Sequence, residues 1–256
     1  MQEHRRGPKY LAVREMLLEL LDGMVYPPGS QLPSETELAD QFRVSRVVVR
    51  EALRSLEDEG RVTRRHGTGT FVNAALPQLR SRLDLNVTVS EIIRANGRQP
   101  GNRLVEWVTA QADLVTANRL RISRGALVVT LRRVRTADGH PVVYSEDTVP
   151  QALLGELGEV QLRGGSLYEF LQQERGQVLT HAQARLLPTH AGPDIGRKLG
   201  VPETAMLLQI EQIDLNQHHE PILYTRLYFL HGAFEFTLQR RRGTVEELQQ
   251  AIAEPW

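Results

Sequence analysis

The sequence predicts an α+β protein in two parts: a small, mostly helical N-terminal domain ending in a β-hairpin, and a larger domain of helices on an antiparallel sheet. Three observations carry this expectation. Two short helices with serine start signals follow one another between Ser34 and Gly60, and a glycine-tipped hairpin comes directly after them. From Leu120 onward a helix-plus-hairpin pattern occurs twice, roughly 80 residues apart. Between the two parts, Asn73 to Arg82 has no periodicity and contains Pro77. The expected boundaries are 1–73 for the first domain, 74–82 for a linker, 83–242 for the second domain and 243–256 for a C-terminal helix or tail.

Composition narrows the classes. With 256 residues, 41% of them hydrophobic, the chain can build two cores. It has 0 cysteines, which excludes a disulfide framework and a thiolate metal site. No apolar run approaches the roughly 20 residues that span a bilayer, and Met1 to Lys9 is charged with no apolar core behind it, unlike a secretory signal. A cytoplasmic protein without a membrane partner is expected. Net charge is +0, yet from Arg43 to Gly67 seven arginines (43, 46, 50, 54, 61, 64, 65) face four acids (51, 57, 58, 59). Local charge of that kind suits a nucleic-acid surface.

Tyr10 to Met24 carries Leu11, Val13, Met16, Leu17, Leu20 and Leu21, an amphipathic helix that should pack under the rest of its domain. Pro27-Pro28-Gly29 is a turn. Ser34-Glu35-Thr36-Glu37 is a capping box, so a helix should start at Ser34 with Leu38, Ala39 and Phe42 on its buried face. Ser45 is a second N-cap, followed by Val48, Val49, Ala52, Leu53 and Leu56 at helical spacing, and Gly60 sits where a helix stops. Two helices joined by a tight turn match the motif whose second helix enters the major groove of DNA. Arg46 and Arg50, four apart in that helix, share a face. Arg61 to Arg65 and Thr70 to Val72 then flank His66-Gly67-Thr68-Gly69 as a hairpin, or wing. The glycine loop is too short for a phosphate-binding P-loop, lacks the following lysine and leads into a strand.

Pro28-Gly29-x-x-Leu32-Pro33-Ser34-Glu35-x-x-Leu38-Ala39, Val44-Ser45-Arg46, Val49-Arg50-Glu51-Ala52-Leu53, Glu59-Gly60 and Gly67-Thr68-Gly69-Thr70-Phe71-Val72 together resemble the winged helix-turn-helix domain of GntR-family transcription regulators. The resemblance covers about the first 75 residues. It implies DNA contacts at Ser34, Thr36, Ser45, Arg46, Val47, Val48, Arg50, His66, Gly67 and Thr68. Two positions depart from the family pattern: Thr36 stands where arginine is frequent, and Val48 where threonine is usual. A valine can pack on a thymine methyl instead, so a different operator sequence is implied.

In the second domain, Thr88-Val89-Ser90-Glu91 is another capping box, starting a helix that ends near Gly97. Leu120-x-Ile122-x-x-Gly125 leads into a strand over Leu127 to Val134, and Leu199-Gly200-Val201-Pro202 into one over Met206 to Ile213. Return strands follow at Pro141-Val142-Val143-Tyr144 and Pro221-Ile222-Leu223-Tyr224, the first after the turn signal Asp138-Gly139. Strand alternation puts Leu127, Val129, Leu131, Arg133 and Arg135 on one side, which three apolar residues mark as inward. Two arginines at the end of an inward face repel each other and need partners. An anionic ligand would serve, since guanidinium forks fit phosphate or carboxylate; so would a simple pairing with Glu146, Asp147 or Glu169. Arg132 faces the other way and is expected to be solvated.

Leu131-Arg132-Arg133-Val134-Arg135-x-Ala137-Asp138-Gly139-x-Pro141, Ser166-Leu167-Tyr168 and Leu199-Gly200-Val201-Pro202 resemble the UTRA effector domain of the HutC branch of the same family. That resemblance implies a chorismate-lyase-like α+β sheet and a sugar phosphate or carboxylate effector. It places the effector at Ser90, Arg133, Arg135, Ser145, Glu146, Ser166, Tyr168 and Tyr224. Here the glutamate frequent at the Ser145 position is displaced to Glu146, and the late strand reads Leu230-His231-Gly232-Ala233-Phe234.

No metal or other cofactor is expected, since the eight histidines are scattered, and no catalytic site is expected, since no nucleophile elbow is present. The expectation is a ligand-responsive transcription regulator, a repressor that binds a palindromic operator as a homodimer. Two other readings remain open on the sequence: an enzyme of chorismate-lyase-like fold carrying a DNA-targeting domain, and a DNA-binding dimer without an effector.

Overall fold

A computed structural model describes residues 8–65, 67–73, 78–155 and 166–253. His66, residues 74–77 of the expected linker and 254–256 of the expected tail lie outside them.

The N-terminal domain consists of helices α1 (Pro8–Asp22), α2 (Glu35–Phe42) and α3 (Arg46–Asp58), then strands β1 (Val62–Arg65) and β2 (Gly69–Val72). The capping box forms as expected: Ser34 Oγ accepts from the Glu37 amide and Glu37 Oε2 accepts from the Ser34 amide at 2.7 Å. Ser45 has the extended N-cap backbone, but its hydroxyl makes no capping bond. The core joins Tyr10, Val13, Leu17 and Leu21 of α1 to Leu38 and Ala39 of α2, Val49, Ala52, Leu53 and Leu56 of α3, and Val62 and Val72 of the hairpin. The face α1 buries is narrower than its apolar pattern, since Leu11 is 52% and Met16 41% exposed. The stripe that packs is the i, i+3/i+4 series from Tyr10.

The second domain is a six-stranded antiparallel sheet in the order β4-β5-β6-β9-β8-β7. Its strands are β4 (Pro100–Gln111), β5 (Leu127–Ala137), β6 (His140–Pro150), β7 (Leu179–His190), β8 (Met206–Asn216) and β9 (Pro221–Leu230). Helix α5 (Leu114–Leu120) precedes β5, and α8 (Gly192–Leu199) precedes β8. Each repeat is thus strand, helix, hairpin, and the sheet order is unchanged when β4, β5 and β6 are exchanged with β7, β8 and β9. The sequence pattern missed both outer strands because their side chains are mostly exposed and do not alternate.

One sheet face carries α5 and α8. The other is covered by α4 (Val89–Ala95), the short α6 (Gln151–Leu154), α7 (Leu167–Arg175) and a two-stranded piece, β3 (Leu79–Arg82) with β10 (Phe234–Thr237). That last pairing corrects the linker expectation. Leu79 to Arg82 is a parallel strand beside Phe234 to Thr237, with Leu79 at 0% exposure. Its partner lies more than 150 residues away in sequence, so no local pattern could announce it. The chain closes with α9 (Val245–Ala253).

Candidate functional site

The structure holds two separate constellations. The first is the exposed edge of α3 and the wing. Ser45, Arg46, Val47 and Arg50 are exposed in the first turns of α3, and Val48 is half-buried, closing the core from the same end. Ser45 Oγ is left available because it does not cap the helix. Arg50 is held by Glu35 of α2, with Nε and Nη2 donating to Oε2 at 3.0 and 2.9 Å. Arg64 reaches over from the wing, donating to the Arg50 carbonyl at 2.9 Å and lying 3.7 Å from Glu35. The two guanidiniums hold the Glu35 carboxyl below its ordinary range, Arg50 through its hydrogen bond first. Thr36 is exposed beside them.

At the wing tip, Gly67 has φ +71°, a left-handed conformation that disfavours any side chain. Gly69 is constrained by space as well: a Cβ there would lie 2.4 Å from Gln31 Nε2, which donates to the Thr68 carbonyl at 2.8 Å. The Arg65 guanidinium stacks 4.5 Å over the Phe71 ring. Ser34, Thr36, Ser45, Arg46, Val47, Arg50, Gly67 and Thr68 are all exposed.

The second constellation is a cavity of about 70 Å³ between the sheet and the N-terminal ends of α4 and α7. Ser90, Arg133, Arg135, Ser145, Ser166 and Tyr168 all line it. Glu146 and Tyr224 do not, and these two expectations are corrected. Both point to the opposite sheet face, as alternation requires once Ser145 and Thr225 face the cavity. There Glu146 is 3.2 Å from Arg132 and 2.6 Å from Arg226, and Tyr224 packs under α5 and donates to Glu211 at 3.2 Å. Arg132 is therefore paired and not simply solvated. Leu127, at 52% exposure, does not belong to the inward face either.

The two cavity arginines differ. Arg133 donates to Asp147 Oδ2 at 2.7 Å, and Asp147 also accepts from Ser145 and Thr225. Arg135, 7% exposed, donates to Ser90 Oγ and pairs with no carboxylate among the described residues. Burial, with Arg133 beside it, pushes its guanidinium down to about 10. The Nε atoms of both arginines are buried without a hydrogen-bond partner among the described residues. Of the pairings the sequence allowed, then, Asp147 satisfies one arginine and leaves the other.

Sequence reasoning missed the far wall. Asp214 is 0% exposed, and its Oδ1 accepts from Asn86 at 2.8 Å, Tyr168 at 2.9 Å and Gln212 at 2.7 Å. Burial raises its carboxyl to about 6 and, with the Asp214 charge, holds the Tyr168 phenol well above its usual range. The signal was present. Gln212 and Asp214 occupy in the second repeat the places of Arg133 and Arg135 in the first, and the alternation that singled out the arginines runs through Ile210 as well.

Comparisons agree with this division. The family model "Bacterial regulatory proteins, gntR family" matches residues 9–72, and the UTRA domain matches 95–235. The transcriptional repressor PhnF of Mycolicibacterium smegmatis is 39% identical over 172 residues, 67% of this chain and 68% of that one. The repressor NagR of Bacillus subtilis is 29% identical over 205 residues, 80% of this chain and 83% of its own. The crystal structure of PhnF from Mycobacterium smegmatis superposes with a TM-score of 0.61 at 31% identity, covering 90% of this chain and all of that one (100%). With a helix-turn-helix domain at its N-terminus and an effector domain behind it, the chain belongs to the HutC-type, UTRA-containing GntR family of bacterial transcription regulators.

Proposed function

We propose that the protein is a repressor that binds a palindromic operator as a homodimer and leaves it when a small anion occupies the cavity at Arg135. The observation that carries the effector class is Arg135 itself. A buried guanidinium with no carboxylate partner among the described residues, next to a second arginine, destabilises the empty protein, and an anion arriving there relieves both burial and repulsion. Ser90, Ser145 and Ser166 supply hydroxyls around the same space. In this reading Arg46, Val47 and Val48 meet base edges, while Ser34, Thr36, Ser45, Arg50 and the wing residues His66, Gly67 and Thr68 meet the backbone or minor groove.

The path between the sites follows from the chain. The segment after β3 is fastened to the cavity at two points, Asn86 to Asp214 and Ser90 to Arg135. It is also the segment through which the second domain is joined to the first. An anion competing with Ser90 for Arg135 loosens one fastening and so changes how two winged domains are presented. Half-sites are fixed about one helical turn, roughly 34 Å, apart, so a modest change prevents both from docking.

Selection from random duplexes, followed by binding with and without phosphate esters and small carboxylates, tests the proposal. Recovery of an inverted repeat whose complex dissociates with one of these anions is expected. Recovery of a single asymmetric site, or a complex indifferent to every anion, contradicts it.

A further inference from the structure

Two charges of opposite sign without an ionic partner among the described residues act on the cavity, one lining it and one directly behind its wall. Arg135 is the positive one, because Asp147 is already occupied by Arg133, Ser145 and Thr225. Asp214 is the negative one. Its three hydrogen bonds come from neutral donors, its Oδ2 has no partner, and no Lys, Arg or His lies within ion-pair distance among the described residues. With its carboxyl raised only to about 6, it is mainly ionised at neutral pH.

The fold keeps these two charges apart. Through the strand register, Arg135 faces Val143, Phe229 and Leu208 in turn, and Gln212 lies four residues beyond Leu208. Three strand spacings and four residues amount to roughly 14 Å across and 13 Å along the sheet. Arg135 reaches into the space from one end; Tyr168 and Gln212, held by Asp214, wall it at the other. Tyr168 Oη donates to Asp214 and accepts from Gln212 Nε2 at 3.1 Å, and Gln212 Nε2 donates to Asp214, so the amide oxygen of Gln212 and the second lone pair of the phenol are the acceptors this wall has to offer.

We propose that the effector is a compact zwitterion, its anionic group at Arg135 and Ser90 and an ammonium group against Tyr168 and Gln212, in the field of Asp214. This rests on the anion reading of Arg135 and adds the second pole. A ligand with one charge leaves a buried charge unmatched, and a ligand with anions at both ends meets Asp214 with like charge. The cavity, at about 70 Å³, favours a short molecule over a large one. Asp214 is a positioning residue here: it orients the phenol and the amide and supplies charge without itself lining the cavity.

Matched pairs differing only at the far end test the proposal on the full chain by calorimetry: phosphoethanolamine against propyl phosphate, and 4-aminobutyrate against pentanoate. In at least one pair the ammonium member should bind at least tenfold more tightly, with phosphoglycolate weaker than phosphoethanolamine. Asp214→Asn should reduce the preference below threefold, by weakening the ammonium member more than the uncharged-tail member. Should that variant not fold, Gln212→Leu removes an acceptor from the same wall and should likewise lower the ratio of ammonium-member to uncharged-tail-member affinity. Equal binding within both pairs, or a preference that survives both variants, overturns the second pole and leaves the anion reading intact. No binding by any of these compounds or by inorganic phosphate at millimolar concentration overturns the anion reading and this inference together.

Discussion

Removing the charge of Asp147 tests the division of labour between the two arginines. Asp147 is 6% exposed and Arg133 8%, and their 2.7 Å contact is the one ion pair on the cavity floor among the described residues. Asp147→Asn keeps the shape and an acceptor for Thr225 but leaves two buried guanidiniums side by side. Breaking one partner of a buried pair costs about 3–5 kcal/mol; the retained amide oxygen places this case near the lower figure, about 3 kcal/mol. For a domain of this size about 1 kcal/mol corresponds to roughly 2–4 °C, so the effector domain should melt about 6–12 °C lower. Anions should restore much of this. A ligand at a hundredfold excess over its Kd returns about 2.7 kcal/mol, and phosphate should raise the melting temperature of the variant more than that of the wild type. Thermal melts at pH 7 in chloride and in phosphate measure both effects. A variant within about 2 °C of wild type, with no added response to phosphate, would refute the claim that Asp147 neutralises Arg133.

Four further outcomes are expected. Asp214 has a folded value of about 6 against an ordinary 3.8, so the folded state holds its proton more tightly; that contribution to stability is present below pH 3.8 and lost as pH rises through 6. The difference of about 2.2 units is worth about 3 kcal/mol, so Asp214→Asn should gain stability on wild type between pH 4 and pH 7.5 in denaturant titrations, and a constant gap would contradict the assignment. Glu35→Gln should free Arg50 and Arg64 for phosphates and steepen the salt dependence of DNA binding by about 0.9 for each phosphate newly neutralised, whereas Arg46→Ala should lose about 1–3 kcal/mol of discrimination at one base; unchanged slopes and affinities would remove α3 from the interface. Sedimentation of fragments 1–73 and 79–256 should give a monomer and a dimer respectively, and the reverse pattern would move the dimer contact to the winged domain.

How much of this the sequence disclosed depended on how local each signal was. The capping boxes at Ser34 and Thr88 formed where they were read, because the serine or threonine and its glutamate are three residues apart and need nothing else. The wing and the first central hairpin followed from glycine turns between short strands, and the second from its apolar strands alone. The cavity was half legible: alternation led to Arg133 and Arg135, and Ser145 was inward by the same parity that sent Glu146 outward. The parts that escaped depend on distant residues. Strand β3 exists only against β10, and the partners of Asp214 come from the segment before α4, from α7 and from β8. Ser45 shows the opposite limit: the residue type is right for a cap and the backbone is a cap, yet the hydroxyl is unused, which suits a contact with something outside the chain.

The most direct test of the central claim uses Arg135→Met. Arg133 is unsuitable because its loss would strand Asp147, whereas Arg135 has no carboxylate to strand among the described residues, and an apolar side chain of similar length suits its burial. The measurement is the concentration of a releasing phosphate ester or carboxylate, found with the wild-type chain, that dissociates half of the operator complex. Arg135→Met should bind the operator with wild-type affinity and need at least tenfold more of that anion for release. A folded Arg135→Met protein that leaves the operator at the wild-type concentration would contradict the account and place the effector elsewhere.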